Sequence, residues 1–137
     1  MKKATLRWLV LAAVLVLAIV GCDLLGVSVQ DRVSLFLADL NSTDRSDIYL
    51  NFHPALTVDY SALQGGAFPD WSTLFPTGGN IPYSINNLDT ADPGNVTGDF
   101  VSINGVWLTH PFVFRMAQDG PDWMIQEMDF NGSNIIK

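Results

Sequence analysis

The sequence has a single cysteine, Cys22, and only two histidines, His53 and His110. A disulfide within the chain is therefore excluded, and the Cys/His spacings of zinc sites are missing. The sequence also lacks a Gly-rich phosphate loop and a serine-nucleophile motif. These absences leave no motif that identifies a reaction.

Basic residues are scarce. The chain has seven Lys and Arg against fourteen Asp and Glu. Three of the basic residues precede residue 8, so residues 22–137 keep four against all fourteen acidic ones, a net charge of −10. Phosphate recognition needs Lys and Arg, so this balance argues against nucleic acid as a partner. It also argues against electrostatic attachment to anionic lipid, so any membrane anchor must be hydrophobic.

The chain begins with an apolar stretch that is too short for a membrane span. Trp8–Val20 carries no charge, follows three basic residues and precedes Gly21 and Cys22. A helix that crosses the bilayer needs about 20 apolar residues. A basic start, a short apolar run and a small residue before a processing point are typical of a secretory signal. We therefore predict a signal peptide over residues 1–21.

The sequence Ile19-Val20-Gly21-Cys22 resembles the lipobox of bacterial lipoproteins. The resemblance implies that a diacylglyceryl group is attached to the Cys22 sulfur, that cleavage falls between Gly21 and Cys22, and that the new amino terminus is acylated. Two or more acyl chains hold a protein stably on a membrane, whereas one holds it only marginally. We expect a lipid anchor on the extracytoplasmic side of a bacterial envelope membrane. An uncleaved amino-terminal anchor is the alternative, and the choice between inner and outer membrane stays open.

Residues 22–28 are expected to form the lipidated cysteine and a short tether, and residues 29–137 a single domain. Ser28 is a predicted N-cap, with Asp31 in the first turn, where the helix dipole favours a carboxylate. Helical spacing predicts a first helix that ends near Leu40 and has one apolar face, formed by Val29, Val33, Phe36, Leu37 and Leu40. A second helix is predicted from Ile48, Tyr49 and Phe52 up to Pro54, and a third over 69–75.

After residue 80 the pattern changes to that of strands. Four strands are predicted, over Ile81–Leu88, Val96–Ile103, Val106–Ala117 and Trp123–Phe130. Asn104-Gly105 and Asp119-Gly120 are expected to be turns, and Gly132–Lys137 a tail. On the third strand one face should carry Val106, Leu108, His110, Phe112, Phe114 and Met116. The order predicts an α+β fold, with helices in the hollow of a curved antiparallel sheet.

This order, together with Asp119-Gly120-Pro121-Asp122-Trp123-Met124-Ile125, resembles the NTF2-like (SnoaL-like, cystatin-like) superfamily. The resemblance covers about 29–130 and implies a cone of helices and curved sheet around a pocket. Lipocalin-like and plain cystatin-like sheets are alternatives. Some members are isomerases, hydrolases or dehydratases, and many only bind ligands or stabilise assemblies, so the fold alone does not decide the function.

Candidate catalytic residues are His53, His110, Asp59 and Asp99. If the histidines shared a pocket with one of the carboxylates, an acid–base pair would result. The competing interpretation, which we favour, is that His53 ends a helix and His110 makes one hydrogen bond near the edge of the core.

Candidate ligand-binding residues are Tyr49, Tyr60, Trp71 and Arg115. Arg115 could hold a ligand carboxylate, but a cross-strand ion pair with Glu127 or Asp129 is the favoured interpretation. Trp71 could line a pocket or stack on a sugar, although core packing is more common for such residues.

The acidic segment of Asp89, Asp92, Asn95 and Asp99 was considered for calcium. Its spacing does not match an EF-hand loop, and the glutamate that closes such a loop is missing. Turns stabilised by Asp and Asn explain the segment better, and no metal or cofactor is expected. The sequence therefore favours a non-enzymatic lipoprotein that binds a small apolar ligand or an envelope protein. A small NTF2-like isomerase, hydrolase or dehydratase and a structural envelope component are the alternatives.

Overall fold

A computed structural model describes residues 26–56, 71, 75, 82–102 and 110–136. The predicted signal peptide, Cys22, Asp59, Tyr60, the Asn104-Gly105 turn and most of the third predicted helix lie outside these residues.

The first predicted helix is confirmed. Helix α1 spans Val29–Asn41, and its N-cap Ser28 accepts a hydrogen bond at Oγ from the Asp31 amide (3.1 Å). The buried face carries the predicted apolar residues except Leu37, which is half-buried, and adds an arginine: Val29, Arg32, Val33, Phe36 and Leu40. At the other end of α1, the Asn41 side chain donates to the Tyr83 carbonyl (2.8 Å) and accepts from the Tyr83 amide (2.7 Å).

The second predicted helix is wrong in type and length. The segment forms a 3₁₀ turn at Ile48–Asn51 and another at Pro54–Leu56. Phe52 between them is extended and forms a parallel bridge to Ile125, so it cannot continue a helix. The Asn51 side chain also donates a hydrogen bond to the Ile48 carbonyl (3.1 Å). Bridging to the sheet outweighs the local helical spacing here.

Five antiparallel strands form one open sheet in the order β1-β2-β3-β4-β5. They are β1 Tyr83–Asp89, β2 Val96–Ser102, β3 His110–Asp119, β4 Asp122–Phe130 and β5 Ser133–Ile136, with a 3₁₀ turn at Pro93–Asn95 before β2. The predicted α+β class with an antiparallel sheet is confirmed. The register shifts within three of the four strand pairs, and such bulges bend the strands that carry them.

The predicted alternation along β3 is confirmed where the strand is described. Phe112, Phe114 and Met116 are buried, whereas Pro111 and Arg115 are exposed. The inner face of the sheet therefore packs against α1 and the outer face meets solvent.

The predicted tail at 132–137 is wrong, because Ser133–Ile136 forms β5. Asn131 and Gly132 have φ values of 50° and 81°, the left-handed conformation that a two-residue hairpin turn requires. Ile136 is fully buried and Ile135 nearly so. The Asn131-Gly132 turn thus leads into a fifth strand whose last two residues are buried isoleucines.

Aromatic rings fill the space between α1 and the sheet. Phe36 of α1 makes edge-to-face contacts with four rings, at centroid distances of 5.5–6.3 Å: Phe52, Trp71, Phe100 and Phe114. Edge-to-face pairs add to the stabilisation from apolar burial. Phe75 extends this cluster to Tyr83 and Phe130, so the core is continuous from the helix across all the long strands.

Candidate functional site

The segment before α1 is fixed to the start of β4. The Val27 amide donates to Asp122 Oδ1 (2.7 Å), and the Trp123 amide donates to the Val27 carbonyl (3.0 Å). We call the contact of Gly26 and Val27 with Pro121, Asp122 and Trp123 the amino-terminal clamp. The sequence places Val27 in the tether, and the clamp shows that the tether's last residues are bound to the sheet.

Gly26 belongs to the clamp for a steric reason. A Cβ atom built on Gly26 would lie 2.0 Å from the Pro121 carbonyl oxygen. No side chain fits there without moving the backbone of one of the two segments. Glycine is therefore required for the two backbones to approach this closely.

Arg32 lies directly behind the clamp and is only 7% exposed. Its Nε donates to the Trp123 carbonyl (2.8 Å), and its Nη1 donates to the Leu50 carbonyl (3.3 Å) and to Asn51 Oδ1 (3.4 Å). One guanidinium thus joins α1, β4 and the first 3₁₀ turn. Its planar, multiple-donor geometry suits several fixed oxygen acceptors.

Burial lowers the pKa of Arg32 by removing water from the cation, while the carboxylates of Asp122 and Asp39 act in the opposite direction. Asp122 therefore has two roles, because it accepts from Val27 and stabilises the charge of Arg32. Asp39 is held in turn by the Asn51 side chain, which donates to Asp39 Oδ2 (2.7 Å).

The clamp and Arg32 were not predicted as site residues. The burial of Arg32 could have been recognised from the sequence, since it lies three residues after Val29 and four before Phe36, on the apolar face of α1. A charged residue at such a position requires polar partners within the core. The partners themselves carried no signal, because they come from the first 3₁₀ turn, 18 and 19 residues away, and from β4, 91 residues away.

The two histidines lie at separate positions along β4. The His53 amide donates to the Ile125 carbonyl (2.8 Å), and its ring Nδ1 accepts from the Ala55 amide (3.2 Å). The His110 ring stacks on Phe130, with centroids 5.2 Å apart. Five residues of β4 separate these two contacts, roughly 16 Å at strand rise. The structure therefore does not bring the two rings into one pocket.

Asp99 and His110 lie on opposite faces of the sheet. Phe100 pairs directly with His110, so their side chains share a face and the neighbouring Asp99 points to the other. The Asp99 carboxylate accepts from the Asn87 side chain (2.8 Å). Asp59, the other candidate acid, lies outside the described residues, as does Tyr60.

The remaining candidates have structural partners. Arg115 forms an ion pair with Glu127 (2.5 Å) and a longer one with Asp129 (3.7 Å), so the favoured cross-strand interpretation is confirmed. Trp71 is 1% exposed and packs in the aromatic core. Tyr49 is half-buried in the first 3₁₀ turn.

The acidic segment considered for calcium forms local turns. Asp89 Oδ1 accepts from the Ala91 amide and Asp92 Oδ1 from the Gly94 amide, both at 2.9 Å. The turn interpretation is therefore confirmed for Asp89 and Asp92, whereas Asp99 lies within β2. Among the residues that the structure describes, no group of three or more His, Cys, Asp or Glu side chains is arranged to hold a metal ion.

No protein-family model matches the chain, and comparisons with curated proteins and with solved structures find no significant similarity. Within the described ranges, no helix has both the length and the apolar character needed to cross a bilayer.

Proposed function

We propose that the protein is a bacterial lipoprotein, anchored by acyl chains on Cys22 to the extracytoplasmic side of an envelope membrane. The observation that carries this proposal is the basic, short apolar leader that ends in Ile19-Val20-Gly21-Cys22. The fixing of Val27 to β4 is compatible with it, because the first hydrogen bond of the described fold to β4 comes five residues after Cys22.

Mass spectrometry of the full-length protein expressed in a bacterium tests the anchor. The expected result is an amino-terminal peptide that begins at Cys22 and carries acyl mass, in the membrane fraction. Cys22→Ala should abolish the acyl mass and leave the precursor uncut or the protein free of the membrane. Ser28→Ala, which keeps the cysteine and changes only a helix cap, is the matched control. An intact, unmodified precursor from the wild-type gene would contradict the proposal.

We propose further that the domain acts by binding, through its outer surface, and not by catalysis. The aromatic core between α1 and the sheet supports this, because its buried rings occupy space on the inner face of the sheet that an internal ligand would need. An envelope protein is the partner this favours, and a small apolar ligand is the alternative. Neither the separation of the two histidines nor the opposite orientations of Asp99 and His110 favours an acid–base site.

Native mass spectrometry of the purified lipoprotein separates the two kinds of partner. Surface binding of a protein predicts the mass of the acylated chain alone, and crosslinking in intact cells should then give a defined larger species. A stoichiometric additional small mass that is lost on unfolding would instead favour the ligand.

We also propose that the fold is an NTF2-like cone. The position of helix α1 on the inner face of the sheet, the meander order and the bulges that bend the strands support this. An experimental structure tests it: the cone requires residues 57–81 to cover the hollow beside α1, and an open hollow would favour a plain cystatin-like sheet.

A further inference from the structure

We propose that the end of the domain that carries the amino-terminal clamp faces the bilayer, and that the Asn131–Gly132 turn at the opposite end faces away from it. The proposal rests on the lipid anchor proposed above and adds an orientation to it. The membrane-facing surface is the β3–β4 turn, residues 119–123, together with the start of α1. Its partner is the lipid headgroup layer.

The first argument is the length of chain between the anchor and the clamp. Five peptide units separate Cys22 from Val27, and even fully extended they span at most about 18 Å. Val27 is fixed by hydrogen bonds to Asp122 and Trp123. The start of β4 therefore cannot lie further than this from an acylated Cys22 at the membrane surface.

The second argument is the length of the sheet. From Trp123, next to the clamp, to Phe130, next to the Asn131–Gly132 turn, β4 advances seven residues, about 23 Å. This exceeds the reach of the tether. An inverted domain, with the Asn131–Gly132 turn against the membrane, would require a longer tether than the sequence provides.

Helix α1 also runs from the clamp end of the sheet toward the opposite end. Its first turn follows Val27, which is hydrogen-bonded to Trp123. Its last residue is Asn41, whose side chain is hydrogen-bonded to Tyr83 at the start of β1. Tyr83 pairs with Ser102, beyond the position where β2 pairs with His110. The helix and the sheet therefore define one long axis with the clamp at one end.

The acidic residues at the clamp end of the domain limit how deeply this end enters the bilayer. Asp31, Asp119 and Asp122 lie at this end, the first two exposed and the third half-buried. Arg32, which lies beside them, is buried behind the clamp. Carboxylates are repelled by anionic headgroups and are costly to place in hydrocarbon. This end therefore lies at the headgroup surface and does not insert.

Spin labels at two exposed positions test the orientation. Gln118→Cys places a label next to the clamp, opposite Trp123, and Ser133→Cys places one next to the Asn131–Gly132 turn, opposite Phe130. Cys22 is the only native cysteine, so in acylated protein each introduced thiol is the only free one. The labelled full lipoprotein is reconstituted in phosphatidylcholine vesicles that contain a small fraction of nickel-chelating lipid.

Headgroup nickel should enhance the relaxation of the label at position 118 several-fold more than that of the label at position 133. Equal enhancement, or a larger effect at position 133, would overturn the orientation. Mass spectrometry of the same samples separates this failure from that of the anchor: protein without acyl mass on Cys22 overturns the proposed function and the orientation together.

Gly26→Ala adds a test of the clamp itself. The new Cβ collides with the Pro121 carbonyl and should detach Val27, which lengthens the effective tether. The ratio of the two enhancements should then fall toward one, with the circular dichroism spectrum unchanged. Gly94→Ala, whose Cβ would lie 3.3 Å from Asp92 Oδ1 and so needs only a small adjustment, is the control. A folded Gly26→Ala protein with the wild-type ratio would contradict the role of the clamp.

Discussion

At the residue scale, Arg32 is a buried side chain that joins three segments of the chain. Its guanidinium satisfies oxygen atoms of Trp123, Leu50 and Asn51, which come from two other segments of the chain. Removal of such a residue leaves buried acceptors without a donor, and that cost exceeds the net value of the hydrogen bonds themselves.

Arg32→Met should therefore lower the free energy of unfolding by about 3 kcal/mol, since it keeps the apolar stem but loses the buried charge-assisted bonds. Urea denaturation monitored by tryptophan fluorescence measures the change. Arg115→Met is the matched control, because the ion pair of Arg115 is exposed and such pairs are worth at most about 1 kcal/mol. Similar losses in the two variants would show that Arg32 does not join these segments.

The hydrogen bonds of Asp44 should make the stability of the folded protein depend on pH. The Ser46 amide and hydroxyl donate to its carboxylate and lower its pKa below the ordinary value. A carboxyl whose pKa is lower in the folded than in the unfolded state stabilises the fold above the unfolded pKa, about 3.9. That contribution is lost as pH falls below this value.

The difference in urea midpoint between pH 7 and pH 3 should therefore be smaller in Asp44→Asn than in the wild type. Asparagine keeps an oxygen that can accept from the Ser46 amide but does not titrate. Asn134→Ala, an exposed substitution that removes no titratable group, is the control and should leave the difference unchanged. An unaltered difference in Asp44→Asn would contradict the prediction.

At the scale of elements, the short strand β5 completes the pairing of one edge of β4. β4 is paired along its outer edge by Val27, then by His53, then by β5. A strand edge left open is a template for association with other chains. Three short segments together therefore protect one long strand.

Ile136→Ala should destabilise the protein by about 2–4 kcal/mol, because Ile136 is fully buried and the substitution leaves a cavity. Thermal or urea unfolding of the full protein measures this. Asn134→Ala, at an exposed position of the same strand, should have little effect. If the two variants were equally stable, residues 133–136 would behave as the tail that the sequence predicts.

The elements that were predicted correctly are those with long, regular patterns. α1 has five apolar residues at helical spacing behind a serine cap, and β3 alternates over its described length. The second helix was mispredicted because the pairing of Phe52 with Ile125 is a tertiary contact. The clamp could not be predicted for the same reason, since nothing near Val27 in sequence indicates Asp122.

At the scale of the whole molecule, the net charge is compatible with the proposed lipid anchor. Residues 22–137 carry a net charge of −10, which favours solubility and opposes adhesion to anionic surfaces. Attachment through acyl chains does not depend on that charge. A domain of this kind can stay close to a bilayer without spreading on it, and its remaining surface stays accessible to partners.

For the proposed lipoprotein, the clamp also implies an order of events during export. The acceptor of the Val27 amide lies 95 residues further along the chain, so this contact cannot form until most of the domain has emerged from the translocation channel. Throughout that interval Val27 is not yet bound to β4, so the clamp does not oppose the proposed acylation and cleavage at Cys22. The clamp forms only after this interval, when Asp122 and Trp123 are available to Val27.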